Sequence, residues 1–286
     1  MAWFDEPGAR DQVDARAATP ADREILRSWV DDGYAVVEGV VPHDLLDEMV
    51  ADLDEMFTGD DPFPGLVLHD LVMPDGHRPQ TDHRDLCVFD RVEREAIRDR
   101  SNWRVHGFYH HSRAADAVRE HPELRRIASL ILGHESRATY SINFHNGSTQ
   151  KLHQDSAVFH LGVPNLICGA WIACEDIVEG SGPLVYHPGS HRRPMFPGFD
   201  AYPTTNLRTA DPTTSAAYNA HVAAEADEFE EHEFLARKGD VLFWHGMLIH
   251  GGQAIRRPGT TRRSYVVHFV PDGADVADQV TGPTNW

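Results

Sequence analysis

Residues 152–156 read Leu-His-Gln-Asp-Ser, and residues 244–252 read Trp-His-Gly-Met-Leu-Ile-His-Gly-Gly. The first segment offers an imidazole and a carboxylate two positions apart, at His153 and Asp155, and the second offers another imidazole at His250. Two imidazoles and one carboxylate occupy one face of an octahedral Fe(II) and leave the opposite face open for oxygen chemistry. Zinc sites more often have a closed tetrahedral set or a single open position. The three residues therefore predict an iron centre.

The His-x-Asp spacing predicts how the first two ligands converge. Side chains two residues apart leave the same face of an extended strand, and a neighbouring strand can bring the third ligand alongside. The two glycines after His250 predict a turn in which the backbone crowds the metal, which favours His250 over His245 as third ligand. The tripeptide alone is weak evidence, because His83-Arg84-Asp85 repeats the spacing.

Further motifs follow the later tripeptide. They are Gly-Ala-Trp-Ile-Ala at 169–173, a turn at 180–192 that contains Pro-Gly-Ser-His, and Gly-Asp-Val-Leu-Phe-Trp-His at 239–245. In order and residue type they resemble the phytanoyl-CoA dioxygenase family of iron and 2-oxoglutarate oxygenases, from about Leu26 to Phe269. The tripeptide at 83–85 has no such sequel, which favours the site at 153–155.

The resemblance implies a mainly β fold, a double-stranded β-helix (a cupin-like jelly roll) braced by N-terminal α-helices. It implies that His153, Asp155 and His250 are catalytic and bind Fe(II), and that 2-oxoglutarate and then O2 take the open positions. Decarboxylation would then give succinate, CO2 and a ferryl species that abstracts hydrogen from a C–H bond. The predicted activity is hydroxylation of a small metabolite, such as an intermediate of bacterial secondary metabolism.

The far carboxylate of 2-oxoglutarate requires a fixed cation, and the planar guanidinium of arginine binds a carboxylate at two points. The family places this arginine a little over ten residues after the distal histidine, with a small residue two positions later. Arg262 fits, with Ser264 on the same strand face. Here the spacing is one residue longer than is common, so Arg263 stays an alternative.

Two aromatic residues are further candidates for contact with 2-oxoglutarate. Trp171 lies where the family often has a tryptophan beside the cosubstrate, and Tyr140 corresponds to another cosubstrate neighbour through the Ile-Asn that follows it. Ordinary packing in the barrel is the alternative for both. His187, His191, His245 and His268 lie near the motifs and could support the ligands, although most are expected to be structural or exposed.

The length of 286 residues fits one oxygenase domain over 1–286. We expect a mobile or docked tail at 1–18, helical support and loops at 19–133, and a jelly-roll core at 134–272 with an insertion at 192–235. Periodicity and capping residues predict helices over 20–31, 45–57 and 114–132, a strand at 34–41, loops and turns over 58–112, and helical composition at 216–233. Core strands are predicted at 138–145, 152–160, 167–174, 183–187, 240–245 and 262–270.

Composition excludes several classes of protein. The formal net charge of −19 repels nucleic acid and anionic lipid. The three cysteines lack metal-ligand spacing and do not form a disulfide framework, which fits a reducing cytoplasm. The N-terminus does not resemble a signal peptide, and no run of about eighteen apolar residues predicts a membrane helix. We expect a cytoplasmic protein with a small-molecule substrate; the sequence carries no signal for an oligomeric state.

Other functions remain open at this point. The same iron ligands could serve desaturation, epoxidation, cyclisation or epimerisation. A halogenase of this architecture requires a small residue in place of Asp155, which argues against it. A catalytically silent jelly roll that binds a ligand is a more distant alternative. Arginines at 192, 193, 256 and 257 could bind a CoA or phosphate group.

Overall fold

A computed structural model describes residues 2–159 and 165–274 of the chain. Within this part there are eight α-helices; residues of the first seven share an apolar cluster with one face of a β core, and the eighth packs in a separate cluster. The helices are Ala9–Arg16 (α1), Pro20–Asp32 (α2), His43–Thr58 (α3), His83–Leu86 (α4), Arg91–Asp99 (α5), Arg113–Arg119 (α6), Pro122–Leu132 (α7) and Pro212–Ala226 (α8). The strands are Tyr34–Val37 (β1), Val67–His69 (β2), Thr81–Asp82 (β3), Arg104–His106 (β4), Ser136–Phe144 (β5), Cys168–Ala173 (β6), Leu184–Tyr186 (β7), His232–Glu233 (β8), Val241–His245 (β9), His250–Gly252 (β10) and Ser264–Pro271 (β11).

The strands form two antiparallel sheets. The major sheet has the order β1-β9-β6-β11-β5-β4-β2-β3, and the minor sheet has the order β10-β7-β8. Side chains of both sheets meet in one buried apolar cluster, which includes Ile142, Trp171 and Val266 of the major sheet and Leu184 and Tyr186 of the minor sheet. Two antiparallel sheets that face each other over a shared core form the predicted jelly roll, which is thereby confirmed.

Strand β11 shows how the major sheet separates a site face from a support face. Tyr265, Val267 and Phe269 belong to the apolar cluster shared with the helices, whereas Val266 and His268 line a cavity on the opposite face. Alternate residues of a strand point to opposite faces. One face of the strand is therefore anchored by packing, and the other carries functional groups.

The N-terminal helices are formed by local signals and held by burial. Thr19 and Asp22 form a reciprocal capping box at the start of α2, and Gly33 ends that helix in a left-handed conformation with φ of 81°. Helix α3 buries Met49 and Leu53 in the apolar cluster that the helices share with the major sheet. Helices account for 36% of the described residues and strands for 18%, so the predicted β character lies in the core, which the helices brace.

Several element predictions were wrong in detail. The predicted helix 114–132 is two helices, because Pro122 lacks the N–H that would continue α6 and starts α7 instead. Residues 58–112, predicted as loops and turns, contain α4, α5 and the strands β2–β4 that extend the major sheet. The tail, by contrast, takes the docked alternative: residues 2–18 include α1 and bury Trp3 and Phe4.

The predicted strand 152–160 is also wrong. His153 forms an isolated bridge, Asp155–Ala157 is a 3-10 turn, and residue 160 lies outside the described residues. In the described part of the chain, every helix is too short or too polar to cross a membrane.

Candidate metal centre

Three buried side chains converge between the two sheets. Oδ1 of Asp155 lies 3.8 Å from Nε2 of His153 and 3.7 Å from Nε2 of His250. The three potential ligand atoms all lie within 4.8 Å of one another. Such a group of two nitrogens and one oxygen is the donor set that was predicted, and its spacing suits a single ion.

The backbone brings these ligands together in a different way from the one predicted. The N–H of His153 donates to the carbonyl of His250 over 2.9 Å, and the N–H of His250 donates back over 3.1 Å. Gln154 is extended, with φ of −120° and ψ of 129°, and the chain then turns at Asp155. A single extended residue between His153 and Asp155 is enough to direct both side chains to one side, so a full strand is not required.

Each ligand imidazole has a fixed orientation. Nδ1 of His153 lies 2.8 Å from the carbonyl oxygen of Lys151, and Nδ1 of His250 lies 2.9 Å from that of Leu248. A carbonyl only accepts, so in the neutral ring Nδ1 carries the proton and Nε2 presents its lone pair. Burial and the neighbouring His153 lower the pKa of His250 to about 4, against the opposing effect of Asp155. The ligand form of the imidazole is thus favoured at neutral pH.

The carboxylate of Asp155 is oriented by its second oxygen. Oδ2 accepts a hydrogen bond from Nε1 of Trp244 over 2.7 Å and lies 3.0 Å from Nε2 of His268, so Oδ1 faces the two ligand imidazoles. Burial opposes ionisation of Asp155, but the imidazoles of His268 and His250 hold its pKa well below its usual range. Hydrogen bonds of this kind orient ligands and raise metal affinity.

Arg262 reaches the same cavity as the three ligands. Arg262 is 2% exposed. The cavity that it lines holds about 480 Å³ of space, part of it open to solvent. Nη1 of Arg262 donates to Oγ of Ser264 over 3.2 Å, and Nε has no hydrogen-bond partner. Among the described residues no carboxylate lies within 4.0 Å of the guanidinium. A buried cation without a counter-ion is costly, so it fits an anionic ligand.

Arg262 and Arg263, the two candidate arginines, have different surroundings. The guanidinium of Arg262 lies 5.4 Å from the ring centres of both Phe144 and Trp171. Burial lowers the pKa of Arg262 to about 10, and Glu175 opposes that effect. Arg263 is about one third exposed, and its Nη2 lies 3.8 Å from Oδ2 of Asp54 on α3. Arg263 therefore faces the helices and not the three ligands.

The predicted aromatic neighbours also line the cavity. Trp171 is 1% exposed and stands beside Arg262, and the hydroxyl of Tyr140 contacts Nδ1 of His106. Ser264 lies at the first position of β11, and Arg262 precedes that strand by two residues. The contact between their side chains shows that the predicted shared face holds although Arg262 is not part of the strand.

His83 and His245, the histidines of the two alternative sites, contact other groups. Nε2 of His83 lies 2.7 Å from the carbonyl of Met56, and Nδ1 accepts from the N–H of Phe63 over 3.1 Å. Asp85 is exposed. Nε2 of His245 lies 3.3 Å from Oδ1 of Asp5 on the far side of the sheet. Neither histidine shares the cavity of the three ligands.

The glycines after His250 have a different use from the one predicted. A Cβ at Gly251 would lie 3.0 Å from the carbonyl oxygen of Gln150, and one at Gly252 would collide with Oγ of Ser148. The close approach is therefore to the segment before His153 and not to the metal position. The two glycines still shape the site, because this close approach sets the distance between the segments that carry His153 and His250.

Sequence reasoning missed Trp244, because its role depends on a contact across the fold. Its indole packs where a Cβ at Gly169 would collide with it, which explains the glycine at that position. His268 was named only as one of several nearby histidines. Its position on β11, with the same parity as Ser264 and Val266, was a usable signal that it faces the cavity. A larger cavity, which holds about 1370 Å³ of space, part of it open to solvent, is bounded by the N-terminal segment and contains none of the three ligands.

The chain is similar to several known proteins. Phytanoyl-CoA dioxygenase of Rattus norvegicus is 33% identical over 122 residues, which are 43% of this chain and 33% of that enzyme. The chain thus matches about a third of the length of this curated relative. Among solved structures, the non-heme alpha ketoglutarate dependent carbocyclase SnoK from nogalamycin biosynthesis has a TM-score of 0.63 and 19% identity, covering 90% of this chain and 87% of that one.

A second solved structure is the epimerase SnoN in complex with Fe3+, alpha ketoglutarate and nogalamycin RO. It has a TM-score of 0.60 and 16% identity, and the alignment covers 93% of this chain and 88% of that one. At these identities the likeness shows the fold. The sequence profile of the family described as phytanoyl-CoA dioxygenase (PhyH) matches residues 29–264, so the chain belongs to that family of Fe(II)- and 2-oxoglutarate-dependent oxygenases.

Proposed function

We propose that this protein is a non-haem Fe(II)/2-oxoglutarate-dependent dioxygenase whose metal is held by His153, Asp155 and His250. One observation carries the proposal: a buried guanidinium, whose Nε has no hydrogen-bond partner, shares a cavity with a three-residue metal face. An iron site alone could serve several reactions. Iron ligands together with a buried cation suit a cosubstrate that chelates the metal at one end and carries a carboxylate at the other.

Arg262 is the proposed anchor for the far carboxylate of 2-oxoglutarate. Its planar group can form two parallel hydrogen bonds, and the hydroxyl of Ser264 holds it in place. Trp171 stands against one side of the cavity beside the guanidinium. Tyr140 lies at the end of the cavity near His268 and is the fourth proposed contact. Burial raises the pKa of Tyr140, so its hydroxyl stays protonated and can donate.

The residues around the site have three tasks in this proposal. His153, Asp155 and His250 occupy one face of the ion and leave the other face for 2-oxoglutarate and O2. Apolar side chains such as Ile142, Phe144 and Val266 exclude water from the cavity. With its cosubstrates bound, iron supplies the oxidation of an unactivated C–H bond, with release of succinate and CO2. The protein positions the substrate and fixes the ligands.

The proposed substrate is a small metabolite, such as an intermediate of bacterial secondary metabolism, and the proposed outcome is hydroxylation. SnoK and SnoN are a carbocyclase and an epimerase, so this fold also supports other outcomes of the same chemistry. Desaturation, epoxidation, cyclisation and epimerisation therefore remain alternatives to be separated by product analysis. We further propose a cytoplasmic location, which fits three free cysteines.

The test begins without a substrate. Anaerobic addition of Fe(II) and 2-oxoglutarate should give the weak visible charge-transfer band of a chelated ferrous centre in the wild type. His153→Ala should lose the band, and His83→Ala should keep it. A wild type without the band supports the catalytically silent jelly roll instead.

The substrate class is tested separately. Succinate release is measured with a panel of small metabolites and, in parallel, with fatty acyl-CoA esters. Turnover of a small metabolite without CoA supports the proposal, and strict dependence on acyl-CoA contradicts it.

A further inference from the structure

The turn at residues 245–248 is bonded to both ligand segments. The carbonyl of Gly246 accepts from the N–H of Ser156 over 2.8 Å, and the carbonyl of Met247 accepts from Nε2 of Gln154 over 3.1 Å. These two bonds hold the residues on either side of Asp155. The position of the carboxylate ligand therefore depends on the position of this turn.

The same turn orients the distal imidazole. The carbonyl of Leu248 lies 2.9 Å from Nδ1 of His250, and this contact fixes which nitrogen faces the metal. His245 stabilises the turn from within, because its Nδ1 accepts from the N–H of Met247 over 3.0 Å. A change in the orientation of the His245 ring would move the carbonyls that hold both ligand segments.

The N-terminal segment Trp3–Asp5, which we call the clasp, holds His245 from outside the sheet. Oδ1 of Asp5 lies 3.3 Å from Nε2 of His245, whose side chain is 1% exposed. The ring of Phe4 packs edge-on against the same imidazole, with centroids 5.1 Å apart. The clasp is itself anchored, since Nε1 of Trp3 donates to the carbonyl of Ile131 over 2.8 Å.

Asp5 has a second contact that leads to the other ligand segment. Its Oδ2 accepts from Nδ2 of Asn165 over 3.1 Å, and Oδ1 of Asn165 accepts from the hydroxyl of Ser156 over 3.0 Å. Ser156 directly follows the ligand Asp155. One carboxylate, distant in sequence from both segments, is thus hydrogen-bonded towards one of them through Asn165 and in close polar contact with His245, which leads to the other. Burial opposes ionisation of Asp5, while His245 and Asn165 lower its pKa, which keeps the carboxylate charged.

We infer that Asp5 is a positioning residue for the proposed metal centre: through His245 and Asn165 it fixes the spacing between the segments that carry Asp155 and His250. The clasp lies outside residues 29–264, the part that matches the family profile, whereas His245 and Asn165 lie inside it. The inference rests on the proposed metal site. It concerns how tightly and in which geometry that site binds its ion.

The experiment uses Co(II) as an oxygen-stable probe with the whole chain of 286 residues. Titration gives the Co(II) dissociation constant, and the visible d–d absorption reports the coordination geometry. Asp5→Ala removes both contacts, and we expect about tenfold weaker binding and a changed d–d spectrum, at the low end for outer-shell partners of a metal site. Asp11→Asn is the matched control, because Asp11 is an exposed acid on the neighbouring helix α1.

Asp5→Asn tests whether the hydrogen-bonding geometry matters more than the charge. The amide can face His245 with its oxygen, and Asn165 can turn its own amide and still reach Ser156. We therefore expect Asp5→Asn to regain most of the affinity and the wild-type spectrum. A purely structural loss would lower the thermal unfolding midpoint of the apoprotein without changing the spectrum of the bound fraction.

The outcomes are distinct. If the wild type does not bind Co(II), the proposed metal site fails and the inference fails with it. If the wild type binds but Asp5→Ala matches Asp11→Asn in affinity and spectrum, only the role of the clasp is overturned. Equal losses in Asp5→Ala and Asp5→Asn also contradict a role through directed hydrogen bonds.

Discussion

The indole Nε1 of Trp244 donates to Oδ2 of Asp155 over 2.7 Å, and this bond points the other carboxylate oxygen at the two ligand imidazoles. Trp244→Phe would keep an aromatic ring and remove the donor. We expect metal affinity to fall by about ten- to a hundredfold, the range for lost outer-shell partners. Titration with Co(II) measures the change.

Trp103→Phe is the control for the lost indole volume. Trp103 is 1% exposed, packs on His145, and its Nε1 has no hydrogen-bond partner. Both variants should lower the unfolding midpoint by comparable amounts, because each leaves a similar cavity. Equal metal affinity in the two variants would show that the Trp244 bond does not orient Asp155.

The sequence predicted which three side chains converge but not what orients them, and the reason is physical. A His-x-Asp spacing and a distant histidine are local patterns, so they are visible in the chain. The partner of Asp155 is contributed by β9, and its contact requires the indole to pass over Gly169 of a neighbouring strand. Such a contact depends on strand order, which no local pattern encodes.

The second prediction is that replacing Arg262 weakens the binding of 2-oxoglutarate without lowering the stability of the apoprotein. Arg262→Leu removes a buried charge that has no ionic partner among the described residues. We expect the apoprotein to unfold at the same or a higher temperature, because an unpaired buried charge destabilises the folded state. Affinity for 2-oxoglutarate should fall about a hundredfold through loss of charge-assisted hydrogen bonds. Anaerobic titration of the Fe(II) protein with 2-oxoglutarate measures it.

Arg263→Leu is the matched control for this pair. Arg263 is adjacent in sequence, carries the same charge and lies 3.8 Å from Asp54 near the surface. Its loss should change stability by less than about 1 kcal/mol and leave the affinity for 2-oxoglutarate unchanged. The opposite result, weak binding in Arg263→Leu and normal binding in Arg262→Leu, would transfer the anchor to the alternative residue.

The repeated tripeptide gives the third prediction. His83→Ala leaves the carbonyl of Met56 and the N–H of Phe63 without their side-chain partner, each part of a buried contact. We expect a loss of about 1–3 kcal/mol in the free energy of unfolding with unchanged metal affinity. His153→Ala should weaken metal binding and leave the free energy of unfolding nearly unchanged. Urea unfolding and Co(II) titration on both variants check the assignment, and weaker metal binding in His83→Ala would contradict it.

The same comparison shows where sequence patterns reach their limit in the helical region. The capping residues of α2 and the apolar spacing of α3 were sufficient to predict those helices, since both signals are local. Strands β2 and β4 have three residues each: β4 pairs with the edge of β5, and β2 in turn pairs with β4. Their existence is a tertiary effect, so residues 58–112 had no pattern of their own.

The last prediction concerns acid stability and uses histidines outside the metal centre. Burial lowers the pKa of His69 and His145 to about 4 and that of His191 to about 3, helped by Arg104, Arg263 and His245 respectively. In the unfolded chain these rings titrate near 6.5. Between these values the unfolded state binds more protons than the folded state, so stability falls as pH falls.

We therefore expect the unfolding midpoint of the apoprotein to be flat above about pH 7 and to drop by about 5 °C or more between pH 7 and pH 5. His145→Asn should reduce this slope, because it removes one group whose protonation favours the unfolded state. The His145 ring stacks on Trp103, so His145→Asn also changes the midpoint through lost packing. The two proteins are therefore compared by the slope of the midpoint against pH and not by the midpoint itself. A midpoint that rises on acidification, or a slope unchanged by His145→Asn, would show that these rings accept protons in the folded protein.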